Sequence, residues 1–128
     1  MLFIRFIVWK GGFFPLDHEG TDAAQIFQAN CALLDACDLV VANLNPFRGA
    51  EPDSGTAFEV GYAVAKGKKV YGYLSDGRSM REKLGAADEN GMAVENFGLP
   101  LNLMLAQGAE LVIGDFADAV RRARSAQA

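Results

Sequence analysis

Two carboxylates six residues apart, Asp53 and Glu59, frame the stretch Pro52-Asp-Ser-Gly-Thr-Ala-Phe-Glu-Val-Gly61. Glu59 stands out because residues 57–65 are apolar almost all round and it carries their only charge before Lys66. This helix-like segment follows the continuous apolar run Leu39-Val-Val-Ala-Asn-Leu44 and a short loop. A carboxylate in the first turn of a buried helix, just past the carboxyl end of a buried strand, stands where open α/β sheets place their ligands. Carboxylates at such places serve as nucleophiles or proton carriers, which makes Glu59 a candidate catalytic group. The same residues also fit a capping box, Thr56-x-x-Glu59, in which the glutamate bonds back to the cap residue's backbone. The helix offers little polar surface, however, and burying an unpaired carboxylate is unfavourable. Glu59 therefore needs a polar cavity or a ligand.

The elements that must position it follow by turns. Residues 2–8 form a short apolar run broken by Arg5, too short to span a membrane, without a signal-peptide cleavage pattern, and read as a buried strand. Residues 13–17 form a short extended piece. A helix starts near Thr21 or Asp22, with Ile26, Phe27, Asn30, Leu33 and Leu34 at three-and-four spacing. The strand 39–44, the Glu59 helix ended by Gly67 and a strand over 70–74 come next. A short helix over 80–84, a polar Gly-containing excursion over 85–96, a helix over 99–106, a strand over 110–113 and a terminal helix over 115–124 complete the order. Alternating strands and helices predict one α/β domain over residues 1–128, flavodoxin- or Rossmann-like, with a mainly parallel sheet flanked by helices.

Composition limits the function. The 128 residues are 51% hydrophobic and 22% charged, with a formal net charge of -4, which disfavours a phosphate-backbone partner and predicts no nucleic-acid binding. Cys31 and Cys37 are out of helical (i, i+4) register and His18 is the lone histidine, so metal-site spacing is absent. The thiols read as core packing in a reducing cytoplasm. His18, between Asp17 and Glu19, reads as exposed loop.

Several runs together resemble the nucleoside 2-deoxyribosyltransferases: Ile26-Phe-Gln-Ala-Asn30, the strand beginning at Asp38, Pro46-Phe-Arg-Gly49, Glu51 to Gly61, and Phe97-Gly-Leu-Pro-Leu-Asn-Leu-Met-Leu105. The likeness covers the chain from about Phe13 onward. A lone Gly-Thr-x-x-Glu is less specific, being shared with cytokinin-activating phosphoribohydrolases. The resemblance implies exchange of the purine or pyrimidine base of a 2'-deoxynucleoside for another free base, as in nucleoside salvage. It proceeds through a covalent deoxyribosyl ester on Glu59, with two displacements at C1' and net retention, as in retaining glycoside hydrolysis. It implies no metal and no organic cofactor.

The resemblance also assigns the remaining site residues. Asp53 matches an acidic residue that orients the substrate or relays a proton, although Pro-Asp-Ser-Gly is also ordinary turn chemistry. Asn30 falls where many relatives carry an acid facing the base; an amide can donate and accept there but cannot supply a general-acid proton. Asn102 matches an asparagine lent to a neighbouring subunit's site, which implies a homo-oligomer. Phe47 and Phe14 are candidate walls of the base pocket, Gly55 a candidate substrate contact, and Arg48 a solvated loop charge. The chain departs from its relatives at the start: Lys10-Gly-Gly12 is too short for a parallel crossover, so residues 2–8 pair in another way or the first strand-helix unit is shortened or absent. Two alternatives remain open, a nucleoside or 5'-nucleotide N-glycosidase and a noncatalytic nucleoside-binding module.

Overall fold

The computed structural model describes residues 5–8, 12–15 and 22–127, with side chains from residue 22 onward. Strands β1 (Arg5–Val8) and β2 (Gly12–Pro15) form an antiparallel hairpin, Arg5 opposite Pro15 and Val8 opposite Gly12. A three-residue connection suits a hairpin and not a crossover. The side chain of Phe14 and all of His18 lie outside the described residues.

Helix α1 (Ala23–Ala36) starts at Asp22, whose carboxylate accepts from the Gln25 amide at 2.8 Å. Strands β3 (Leu39–Asn43), β4 (Lys69–Leu74) and β5 (Glu110–Ile113) form a parallel sheet in the order β3-β4-β5. Between β3 and β4 runs α2 (Ser54–Ala65), ended at Gly67, whose φ of 75° is a left-handed conformation open to glycine. Helices α3 (Met80–Leu84) and α4 (Leu103–Gly108) lie between β4 and β5, and α5 (Phe116–Gln127) follows.

Strands β3 and β4 are buried on both faces because their alternate residues serve two layers. Val40, Ala42 and Leu44 pack with Leu34, Val60, Ala63 and Leu101 on one side, while Leu39, Val41, Tyr71 and Tyr73 pack with Ala119 and Ala123 of α5 on the other. Gly72 makes room at the first interface: a Cβ there would meet Leu44 Cδ1 at 2.3 Å, so the buried Leu44 side chain would have to shift.

Three expectations need correction. The helix expected over 99–106 begins only at Leu103, because Pro100 disfavours helical backbone at the residue before it and Asn102 caps the start. No capping box forms at Thr56; one forms at Ser79, which exchanges bonds with Glu82. Helix α2 is also not buried all round: only Thr56, Glu59, Val60 and Ala63 are, while Phe58 and Val64 are exposed.

Candidate active site

The carboxyl ends of β3 and β4 are tied together before the site begins. Asn43 Oδ1 accepts from the backbone and side-chain amides of Asn45, and Asn45 Oδ1 in turn accepts from Ser75 N at 2.9 Å. The loop then turns back on itself, the Phe47 amide donating to Glu51 O at 2.8 Å, with Arg48 at φ 53° and its guanidinium 4.8 Å from the centre of the Phe47 ring.

Asp53 starts α2. Its Oδ2 accepts from Thr56 N at 2.9 Å and Thr56 Oγ1 at 3.0 Å, so the cap lies three residues before the one expected. Glu59 consequently sits in the second turn and not the first. It is only 6% exposed, and its Oε2 has no hydrogen-bond partner. Burial, and then the charge of Asp53, push its carboxyl up to about 8. Glu59 is therefore largely protonated at neutral pH, and an approaching positive centre would draw out its ionised form.

Glu59 lines a cavity of about 270 Å³ together with Gly55 and Phe58 of α2 and Phe27, Asn30, Cys31 and Leu34 of α1. Asn30 and Gly55 are thus brought to Glu59. Asp53 and Phe47 border a second recess of about 250 Å³ with Asn43, Asn45 and Pro46. A Cβ on Gly55 would lie 3.1 Å from Asp53 Oδ2, so the missing side chain leaves that carboxylate room. Asn102 is not brought to Glu59. It caps α4 through Met104 N at 2.9 Å and lines a larger recess of about 600 Å³ on a different face of α2, with Ala57, Gly61 and Val64.

The sequence reading missed Phe27 and Phe58. Their rings lie 5.8 Å apart at the Glu59 cavity and each is 54% exposed. The available signals were position alone: Phe27 stands one helical turn before Asn30, and Phe58 adjoins Glu59. Cys31, expected in the core, is half-buried and lines the cavity, whereas Cys37 is buried as expected. No group of three His, Cys, Asp or Glu among the described residues could hold a metal ion, and no described helix is long and apolar enough to cross a membrane.

Residues 8–104 match the sequence profile of nucleoside 2-deoxyribosyltransferases. The chain belongs to the nucleoside 2-deoxyribosyltransferase family. A 2-deoxyribosyltransferase from Leishmania mexicana is similar in structure, with a TM-score of 0.77 and 46% identity over 84% of this chain and 71% of that one. An uncharacterized protein of Schizosaccharomyces pombe is 43% identical over 61 residues, which are 47% of this chain and 29% of that protein. The match to that relative therefore spans less than a third of its length. The family profile reaches across both carboxylates, Asn30 and Asn102, so this deoxyribosyltransferase fold holds all four within the matched region.

Proposed function

We propose that the protein transfers a 2-deoxyribosyl group between nucleobases, with Glu59 as the nucleophile. The observation that carries this reading is the Glu59 carboxyl itself: buried, without a partner, and open to a cavity bordered by the rings of Phe27 and Phe58, over which a flat base could lie. In the first displacement a Glu59 oxygen bonds to C1' of the deoxynucleoside while the C1'–N bond breaks and the base leaves with a proton. In the second, a nitrogen of another base attacks C1', its N–H proton passing to Asp53 as relay, and the C1'–O ester bond breaks to release the Glu59 carboxylate, giving net retention. The missing 2'-hydroxyl helps, because without that electron-withdrawing group the oxocarbenium-like centre forms more readily.

Asp53 is the second acidic participant in this reading. One of its oxygens holds the helix start, and the carboxylate, whose charge reaches Glu59, borders the recess it shares with Asn45 and Phe47, where a sugar hydroxyl or a relayed proton would find it. Asn30 cannot act as the acid that relatives carry at its position, so in this reading the proton given up by the Glu59 carboxyl as it attacks C1' is relayed by Asp53 to the leaving base.

The active unit in this reading is a homo-oligomer in which Asn102 completes a neighbour's site. Support comes from its position: it faces a large recess away from Glu59, beside Val64 and a Met104 that is 74% exposed. Such a recess suits a partner surface with an apolar centre. Incubating a deoxynucleoside with and without a second base tests the proposal. Formation of the new deoxynucleoside supports transfer; release of free base regardless of acceptor would make the protein an N-glycosidase, and unchanged substrate would leave only a binding role.

A further inference from the structure

Three buried side-chain polar atoms among the described residues have no hydrogen-bond partner: Asn30 Oδ1, Glu59 Oε2 and Arg81 Nε. Two of the three belong to residues lining one cavity. Glu59 is accounted for by the transfer chemistry, but Asn30 is not. An acceptor buried without a donor is unfavourable, and a ligand that supplies the missing N–H relieves the penalty. Apart from Glu59, which is taken up by the transfer chemistry, and the weakly polar Cys31 thiol, the other cavity groups cannot choose between bases. Phe27 and Phe58 offer ring faces, and every base has a π-face, so stacking on them is tolerant. Leu34 is apolar and Gly55 has no side chain.

We propose that Asn30 selects bases bearing an exocyclic amine, its Oδ1 accepting an N–H from the 4-amino group of a pyrimidine or the 6-amino group of a purine. With the Asn30 amide in this orientation a 4-oxo or 6-oxo base would set its carbonyl oxygen against Oδ1, and pairing would require the amide to turn over. The preference is thus for amino over oxo within each ring class, and it rests on the base-exchange reading of this cavity.

The test uses donors that differ at that group: deoxycytidine against deoxyuridine, and deoxyadenosine against deoxyinosine. Wild-type kcat/KM should favour the amino member by about tenfold or more, the size expected of one lost buried hydrogen bond. Asn30→Leu should bring that ratio to within about threefold of unity, whatever it does to the overall rate. A residue that only held the cavity in shape would lower both members together and leave the ratio intact. Calorimetric binding of the free pairs, cytosine against uracil and adenine against hypoxanthine, to wild type gives a second reading that needs no turnover. Should no donor be exchanged, the base-exchange reading fails, while the binding pairs still decide the role of Asn30. Preference for the oxo member, a preference that survives Asn30→Leu, or binding of none of the four bases overturns the proposal.

Discussion

Asp53 caps the helix whose second turn carries Glu59, and its charge raises the proton affinity of that same Glu59. One structural element thus fixes both carboxyls, and the residue that fixes the helix start also tunes the nucleophile. Replacing Asp53 by asparagine separates the two effects, because asparagine caps as well as aspartate but carries no charge. The acid limb of kcat/KM follows ionisation of Glu59 in the free enzyme and should pass its half-height near pH 8, levelling off above it. In Asp53→Asn that limb should move to lower pH, as a profile from pH 6 to 9 would show. A limb that stays in place would mean that burial alone sets Glu59.

Glu59→Gln keeps the shape of the side chain and removes the nucleophile. Base exchange should fall by more than about a thousandfold, equivalent to about 4 kcal/mol of barrier, with the fold intact by circular dichroism. Activity within about tenfold of wild type would remove Glu59 from the chemistry.

The same variant should reveal a pH-dependent gain in stability. The folded state holds the Glu59 proton up to about 8, against 4.5 for the ordinary group. Below the lower value both folded and unfolded chains are neutral there, so the group adds no penalty. As pH rises from 4.5 to 8 the unfolded chain ionises first and the folded state loses relative stability. The Tm difference between Glu59→Gln and wild type should therefore grow in favour of the variant from pH 5 to pH 8. A difference that stays constant would show that Glu59 titrates normally in the fold.

Gly72 tests the sheet beneath the site. An alanine methyl would strike Leu44, the buried residue from which the site loop departs, and overpacking of this kind lowers stability by about 1–3 kcal/mol. Gly72→Ala should lower the midpoint of urea unfolding; an unchanged midpoint would mean that Leu44 has room to move.

Subunit sharing can be tested with two inactive variants, Glu59→Gln and Asn102→Asp, mixed under conditions that exchange subunits. Aspartate preserves the cap on Met104 and loses the amide donors. If Asn102 serves the neighbouring site, a mixed dimer has one doubly damaged site and one intact site. Activity should return to about a quarter of wild type on random mixing. Verified mixed oligomers without recovery would confine Asn102 to its own subunit.

Much of the architecture was legible because apolar runs over 39–44 and 70–74 can only be buried strands, and Glu59 is conspicuous in an apolar helix. The start of that helix was misread because Asp53-Ser-Gly-Thr56 and Thr56-Ala-Phe-Glu59 both place a capping residue three before a partner. Only the backbone trace decides which is used. The exposure of Phe58 was illegible for another reason. Whether an apolar helical residue meets a core, a cavity or solvent depends on how α1 and α4 lie beside α2, and local spacing does not encode that. Asn102 lines a recess of its own, and its local duty as a cap was hidden by the helix expected to begin at 99.

Phe27 and Phe58 leave more than half of their surface in water when the cavity is empty. Seating a flat heterocycle over them would strip hydration water from two aromatic faces at once. The association should therefore carry a negative heat-capacity change, so that binding enthalpy grows more favourable as temperature rises.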